Sequence, residues 1–69
     1  MSTNASAAIQ VIKAIADSIK ELGEVPSGHL YAMVAGHMDL TTYDKIINIL
    51  IASNLIKRED SHLLVWVGP

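Results

Sequence analysis

Residues 53–66 read SNLIKREDSHLLVW, and this stretch decides the fold because its pattern changes from helical to extended. Residues 55–58 and 62–67 are two runs rich in large or β-branched apolar side chains, and the polar triplet 59–61 separates them. Two such runs around a short polar turn predict an antiparallel hairpin over about residues 55–67. Asn54 stands where the preceding helix would end, and asparagine is one of the few residue types that accept left-handed backbone there.

The first helix is predicted over about residues 6–22, because its apolar side chains recur every three or four residues. Gly23 supplies the left-handed residue that commonly follows a helix end. Ile9 and Val11 widen the apolar stripe, which indicates that this helix packs on two sides. The stripe itself consists of Ala8, Ile12, Ile15, Ile19 and Leu22.

The second helix is predicted over about residues 28–35, with Ser27 as its N-cap and Gly36 at its end. Before it, residues 24–26 are too few for more than an extended linker or a strand with one residue pair, and Pro26 keeps that segment out of the helical region. The side chains expected to be buried in this helix are Leu30, Met33 and Val34.

The third helix is predicted over about residues 40–53. Either Asp39 or Thr41 would be its N-cap, since both side chains can accept a hydrogen bond from a backbone N–H of the first turn. Its apolar residues again follow helical spacing, which indicates one face in the core. That buried stripe consists of Tyr43, Ile46, Ile47 and Leu50.

Length and charge limit the function. A chain of 69 residues makes one domain, near the lower size limit for a fold held by a hydrophobic core alone. Five Lys and Arg residues against seven Asp and Glu residues leave a net charge of −2, so no strong basic field indicates nucleic acid. A hydrophobic share of 51% is high for so small a domain and predicts that some apolar surface meets a partner.

The residues that could support catalysis or metal binding form no motif. Cysteine is absent, and His29, His37 and His62 do not stand at metal-ligand spacing with a carboxylate, so no metal site is expected. Ser27 lies in no nucleophile motif, and no glycine-rich phosphate loop is present, so neither an enzyme nor a cofactor is expected. Without a signal segment or a bilayer-length apolar run, a cytoplasmic protein with no membrane partner is expected.

Residues 50–58, LIASNLIKR, carry a family resemblance. In many bacterial winged-helix regulators the third helix closes with a leucine, a small residue and a glycine, and Leu-Ile-x-Arg then opens the wing. This chain is similar, with Asn54 in place of the glycine and Arg58 at the end of the motif. The resemblance to the winged helix-turn-helix family implies an α+β fold, mainly α, with three helices followed by a two-stranded wing hairpin in a single domain, 1–69.

The resemblance implies a small DNA-binding transcriptional regulator whose third helix enters the major groove. The face opposite the core stripe carries Thr41, Lys45 and Asn48, which can contact phosphates or base edges. Lys57 and Arg58 at the base of the wing would contact the DNA backbone. Because the wing tip is acidic and cations are few, a monomer would bind DNA weakly and in a salt-sensitive way, so a homodimer is expected.

Apolar side chains beyond the core predict an interface with a second copy or with another protein. One hairpin face would pack on the helices, either Leu64 with Trp66 or the alternate residues, and the other face would be left for a partner. The alternative to DNA binding is therefore a protein-protein interaction module of the same fold that binds no nucleic acid. The expected interface residues are Ile49, Ile51, Leu63, Val65 and Val67.

Overall fold

The computed structural model describes residues 3–69, and side chains from Ile9 onward. The elements are α1 (Thr3–Leu22), β1 (Glu24–Pro26), α2 (Ser27–Val34), α3 (Leu40–Ala52), β2 (Ile56–Glu59) and β3 (Leu63–Trp66). The chain is therefore α+β and mainly helical, as predicted. The element order is compatible with a winged-helix-like arrangement, and α1 begins three residues before its predicted start.

The sheet has three antiparallel strands, so the prediction of a two-stranded hairpin was incomplete. β3 lies in the centre, with β1 on one side and β2 on the other. The segment predicted as a linker or a one-pair strand pairs three residues with β3, and Val25 faces Leu64 in that register. Because the partner strand is distant in sequence, the local pattern of residues 24–26 does not reveal this pairing.

Helix α1 packs its predicted stripe against the core along only part of its length. Ile15 and Ile19 are buried and Ile12 is half-buried, whereas the side chain of Ala8 lies outside the described residues. Leu22 is 54% exposed, so its predicted burial was wrong. Leu22 is the last helical residue, and Gly23, with φ of 81°, turns the chain directly into β1.

Helix α2 begins one residue earlier than predicted, and Ser27 does not cap it. Pro26 occupies the N-cap position with extended backbone, and no side chain caps this helix. Met33 is 57% exposed, so its predicted burial was wrong, while Leu30 is buried as expected. Gly36 provides no left-handed end, because the helix stops at Val34 and Ala35 keeps right-handed backbone.

Helix α3 agrees with its prediction. Of the two candidate caps Asp39 is the one used, and its carboxylate accepts a hydrogen bond of 2.8 Å from the backbone N–H of Thr42. All four residues of the predicted stripe are buried. After the helix, Asn54 adopts left-handed backbone with φ of 61°, as its position indicated.

The sheet packs one face on the helices. Successive strand residues point to opposite faces, and in β3 Leu64 is fully buried while Trp66 packs against the core. Of the two alternatives for the hairpin, Leu64 with Trp66 is therefore the inner face. The buried core consists of Ile15, Ala16, Ile19, Val25, Leu30, Tyr43, Ile46, Ile47, Leu50, Ile56 and Leu64.

Candidate functional site

The exposed face of α3 carries the predicted DNA-contacting side chains together. Thr41, Lys45 and Asn48 are all exposed, because steps of three and four residues keep them on the side opposite the buried stripe. This face is polar but carries little charge, with Lys45 as its cation. Asp44, also exposed, lies beside it on the same helix. The helix can therefore present hydrogen-bonding groups to a partner without presenting a strong positive field.

A carboxylate near Lys45 weakens the positive field at the start of α3. Asp39 accepts the capping hydrogen bond from the Thr42 N–H, and this bond is the main reason that the pKa of Asp39 is lowered. The charge of Lys45 makes the smallest contribution to the lowering of the same pKa. Lys45 forms no ion pair within residues 3–69, so its ammonium group remains free to meet a partner.

Lys57 and Arg58 do not act as one basic clamp, because neighbouring strand residues point to opposite faces. Lys57 pairs in register with Val65, and its ammonium group forms an ion pair of 2.9 Å with Glu59 two residues along the strand. Arg58 pairs with Leu64 and shares the inner side of the sheet, where its charge acts on the hydroxyl of Tyr43. The two cations predicted to hold DNA backbone thus face different directions.

The turn between β2 and β3 is acidic at its tip. Asp60 begins a three-residue turn, one position later than predicted, and Ser61 and His62 both adopt left-handed backbone with φ of 67° and 61°. Glu59 and Asp60 are exposed there. Between residues 39 and 60, which include α3 and β2, four carboxylates outnumber three cations. This balance disfavours close contact with a phosphate backbone.

An apolar groove runs along the other exposed flank of α3, between that helix and α1. Its volume is about 350 Å³. Ile49 is 47% exposed at this flank, and Val11 and Ile12 of α1 form the opposite wall. Lys45 lies at the boundary, since it lines the groove and also belongs to the polar face of α3. The groove is lined by Val11, Ile12, His37, Met38, Thr42, Lys45, Ile46 and Ile49.

The predicted interface residues do not form one surface. Ile49 lines the groove, whereas Ile51 is half-buried against the core on another side of α3. Leu63 and Val65 are half-buried on the outer face of β3, and Val67 follows the strand and is exposed. Sequence reasoning missed the groove as a site, although Val11 outside the predicted stripe of α1 was a signal for it.

The outer face of the sheet is only partly apolar. Val65 lies in register between Glu24 of β1 and Lys57 of β2, so charged residues flank it on both sides. The ion pair of Lys57 with Glu59 belongs to the same face. Because Leu63 and Val65 do not pack against the buried cluster, they are surface residues among charged neighbours. This surface is a weaker candidate for an apolar interface than the groove.

A buried tyrosine attaches α3 to the start of α2. The hydroxyl of Tyr43 donates a hydrogen bond of 3.0 Å to the carbonyl oxygen of Ser27, and the Ser27 hydroxyl lies 3.3 Å from the Tyr43 hydroxyl oxygen. Burial raises the pKa of the Tyr43 hydroxyl, and the ring of Tyr31 packs beside that of Tyr43 with centroids 5.1 Å apart. These contacts set the position of α3, and hence of both its exposed faces.

No family model, curated protein or solved structure matches this chain. Within residues 3–69, no group of three potential metal-ligating side chains converges. Among the described helices, none combines the length and apolar character that a bilayer-spanning segment needs.

Proposed function

We propose that this chain is a winged helix-turn-helix domain that acts as a protein-protein interaction module. The observation that carries the proposal is the open apolar groove between α1 and α3, lined by Val11, Ile12 and Ile49. Contiguous exposed apolar surface is what protein partners cover, and it is costly to leave in water. Four statements stay predictions: the chain has no catalytic activity, no cofactor and no membrane partner, and its location is cytoplasmic.

Electrostatics favours a protein over nucleic acid as the partner. The charge of Lys57 is compensated by Glu59, and Arg58 lies on the other side of the sheet. Phosphate neutralisation supplies most of the affinity of DNA-binding domains, and few free cations are available for it here. An apolar groove with one cation at its edge is instead typical of the centre and rim of a protein interface.

The proposal is tested by capturing partners from an extract of the source organism with three purified baits. Wild-type protein and Asn48→Glu, which adds a carboxylate to α3 outside the groove, should retain the same partner. Ile49→Glu should lose it, because a carboxylate within an apolar contact costs more than about 1.4 kcal/mol, or tenfold in affinity.

The captured partner is then purified and its binding to each bait is measured by calorimetry. Far-UV circular dichroism must show that both variants stay folded. Equal loss of binding with Asn48→Glu and Ile49→Glu would move the contact away from the groove, and a partner that binds all three baits equally would refute the proposal.

The second candidate is the DNA-binding regulator, acting as a homodimer. It is favoured by one observation, the joint exposure of Thr41, Lys45 and Asn48 on the outer face of α3. These side chains can contact base edges and phosphates if α3 enters the major groove. With Lys45 and Arg58 as the available cations, each subunit would make few phosphate contacts, so a dimer is needed to double them.

Fluorescence anisotropy with a labelled mixed-sequence duplex tests this candidate. If each of the two available cations neutralises one phosphate, log affinity should fall with log salt at a slope of about −2 for a monomer. Lys45→Ala should reduce the slope, whereas Val11→Ser, a groove substitution outside α3, should leave it unchanged. No binding at micromolar protein and low salt would exclude the DNA candidate.

A further inference from the structure

We infer that the groove between α1 and α3 binds an amphipathic helix of another protein, with a carboxylate of that helix placed against Lys45. This inference rests on the proposed function and names the chemistry of the partner. Its starting point is the composition of the lining, in which apolar side chains predominate and Lys45 is the charged residue.

The groove is open, which favours a protein segment over a small molecule. Of the eight lining residues five are exposed, Ile12 and Met38 are half-buried, and Ile46 alone is buried. Small-molecule sites are concave enough to bury most of the ligand surface, and a groove with exposed walls does not do so. A helix lying along the groove would cover these walls and keep its own polar side in water.

The walls of the groove are helices, so a third helix is the element that fits between them. On α3, Ile46 and Ile49 are three residues apart and point to the same side. On α1, Val11 and Ile12 are about 100° apart around the helix axis, and both line the facing wall. Helices pack with their side-chain ridges in the grooves of their neighbours. An incoming helix would therefore use apolar residues at i, i+3 or i+4, and i+7.

Charge complementarity selects an acidic helix. Lys45 forms no ion pair within the described part of the chain, and the nearby carboxylate of Asp39 is already engaged by the Thr42 N–H. At the edge of an apolar contact, an unpaired ammonium group attracts a carboxylate more strongly than it does in open water. A basic helix would meet like charge at the same position.

A second copy of this chain fits the groove less well. Ile9 is the most exposed large apolar side chain among the described residues, and Lys13 follows four residues later on the same side of α1. Insertion of Ile9 would therefore bring a cation towards Lys45. Leu40 and Asp44 offer an apolar side chain and a carboxylate on one side of α3. However, their flank would contact the groove of the next copy head-to-tail, and such a contact produces open chains instead of a closed dimer.

The test is selection of phage-displayed random 16-residue peptides on purified wild-type protein, Lys45→Glu, Ile49→Glu and Asn48→Glu. Wild type and Asn48→Glu should enrich the same peptides, with apolar residues at helical spacing and a nearby Asp or Glu. Peptides selected on Lys45→Glu should carry Lys or Arg in place of the acidic residue. Selection on Ile49→Glu should enrich none of these peptides.

The best peptide is then synthesised with its acidic residue and with Lys in that position. Lys45→Glu should weaken binding of the acidic peptide by about tenfold and strengthen binding of the Lys peptide, since one attraction becomes a repulsion. Circular dichroism of the four proteins and of the bound peptide checks that the proteins are folded and the peptide is helical.

Three results would overturn the inference. Enriched peptides without a charge preference would remove Lys45 from recognition and leave the groove as a protein-binding site. If no peptides are enriched on wild type and lost on Ile49→Glu, a helical partner is excluded. The capture experiment would then still decide the proposed function. A mass in sedimentation that rises with concentration and returns to the monomer in Ile49→Glu would make a second copy the occupant.

Discussion

The hydroxyl of Tyr43 is the polar group whose removal should most clearly affect the orientation of α3. It donates a hydrogen bond of 3.0 Å to the carbonyl oxygen of Ser27, and the Tyr43 side chain is 1% exposed. Tyr43→Phe keeps the ring and its packing but leaves that carbonyl without this partner. A hydrogen bond of this kind contributes about 1 kcal/mol to the free energy of unfolding. For a domain of this size, the melting temperature should fall by about 4–8 °C.

Thermal unfolding followed by circular dichroism, with Trp66 fluorescence as a second probe, measures this change. The matched control is Tyr31→Phe, because the Tyr31 hydroxyl makes no hydrogen bond within residues 3–69 while its ring packs against that of Tyr43. The control should change the melting temperature much less. Equal destabilisation by both substitutions, or none by Tyr43→Phe, would show that the bond to Ser27 does not hold α3 in place.

Ionisation of the same hydroxyl should lower the free energy of unfolding at alkaline pH. Burial raises the folded-state pKa of Tyr43 above the value of 10.0 that applies to the unfolded chain. Between these two pKa values the folded state binds the proton more strongly, so the free energy of unfolding decreases as pH rises. The stabilisation is complete below pH 10 and is lost as pH rises through the folded-state pKa. The difference between wild type and Tyr43→Phe should therefore narrow above pH 10.

Three further substitutions test the local structure. Asp39→Ala should lower the melting temperature by removing the cap on the Thr42 N–H. The difference from wild type should disappear as pH falls below 3.8, because the cap stabilises the fold only while the carboxylate is ionised, and the pKa of that carboxylate is lowered in the fold. Asn54→Ala should cost about 1 kcal/mol in urea unfolding, whereas Asn54→Gly should cost nothing, since glycine accepts left-handed backbone. Leu64→Ala should cost about 2–5 kcal/mol and Leu63→Ala much less, because Leu64 is fully buried and Leu63 lies on the outer face.

The parts of the fold that depend on local periodicity could be predicted from the sequence. The buried stripe of α3 and the left-handed Asn54 follow from spacing and residue type, which also limit the N-cap to Asp39 or Thr41. Such features are set by interactions within a few residues along the chain. Their agreement with the structure shows that local preference and tertiary packing favour the same conformation in this helix.

The errors arise where a distant segment decides the outcome. Ser27 has the residue type of an N-cap, yet its hydroxyl lies beside the hydroxyl of Tyr43 and Pro26 occupies the cap position instead. Leu22 and Met33 have the right helical spacing for burial, but each lies at or next to the end of its helix and is exposed. Periodicity identifies a face, and it does not show how far along the helix that face is covered.

The candidate site was predictable in part for the same reason. Exposure of Thr41, Lys45 and Asn48 follows from the position of the core stripe, because the opposite face of a helix must meet solvent or a partner. The groove needs α1 and α3 to be placed side by side, and no pattern within either helix gives that arrangement. The opposite directions of Lys57 and Arg58 follow from strand alternation once the strand register is known.

The two candidate functions use neighbouring faces of one helix, and this geometry determines which variants can separate them. Lys45 belongs to both faces, so its substitution weakens either kind of binding and does not discriminate. Asn48 and Ile49 are adjacent in sequence but point about 100° apart around the helix axis. Asn48 therefore reports on the polar face and Ile49 on the groove. A loss of function at one of these positions without the other identifies the face that binds the partner.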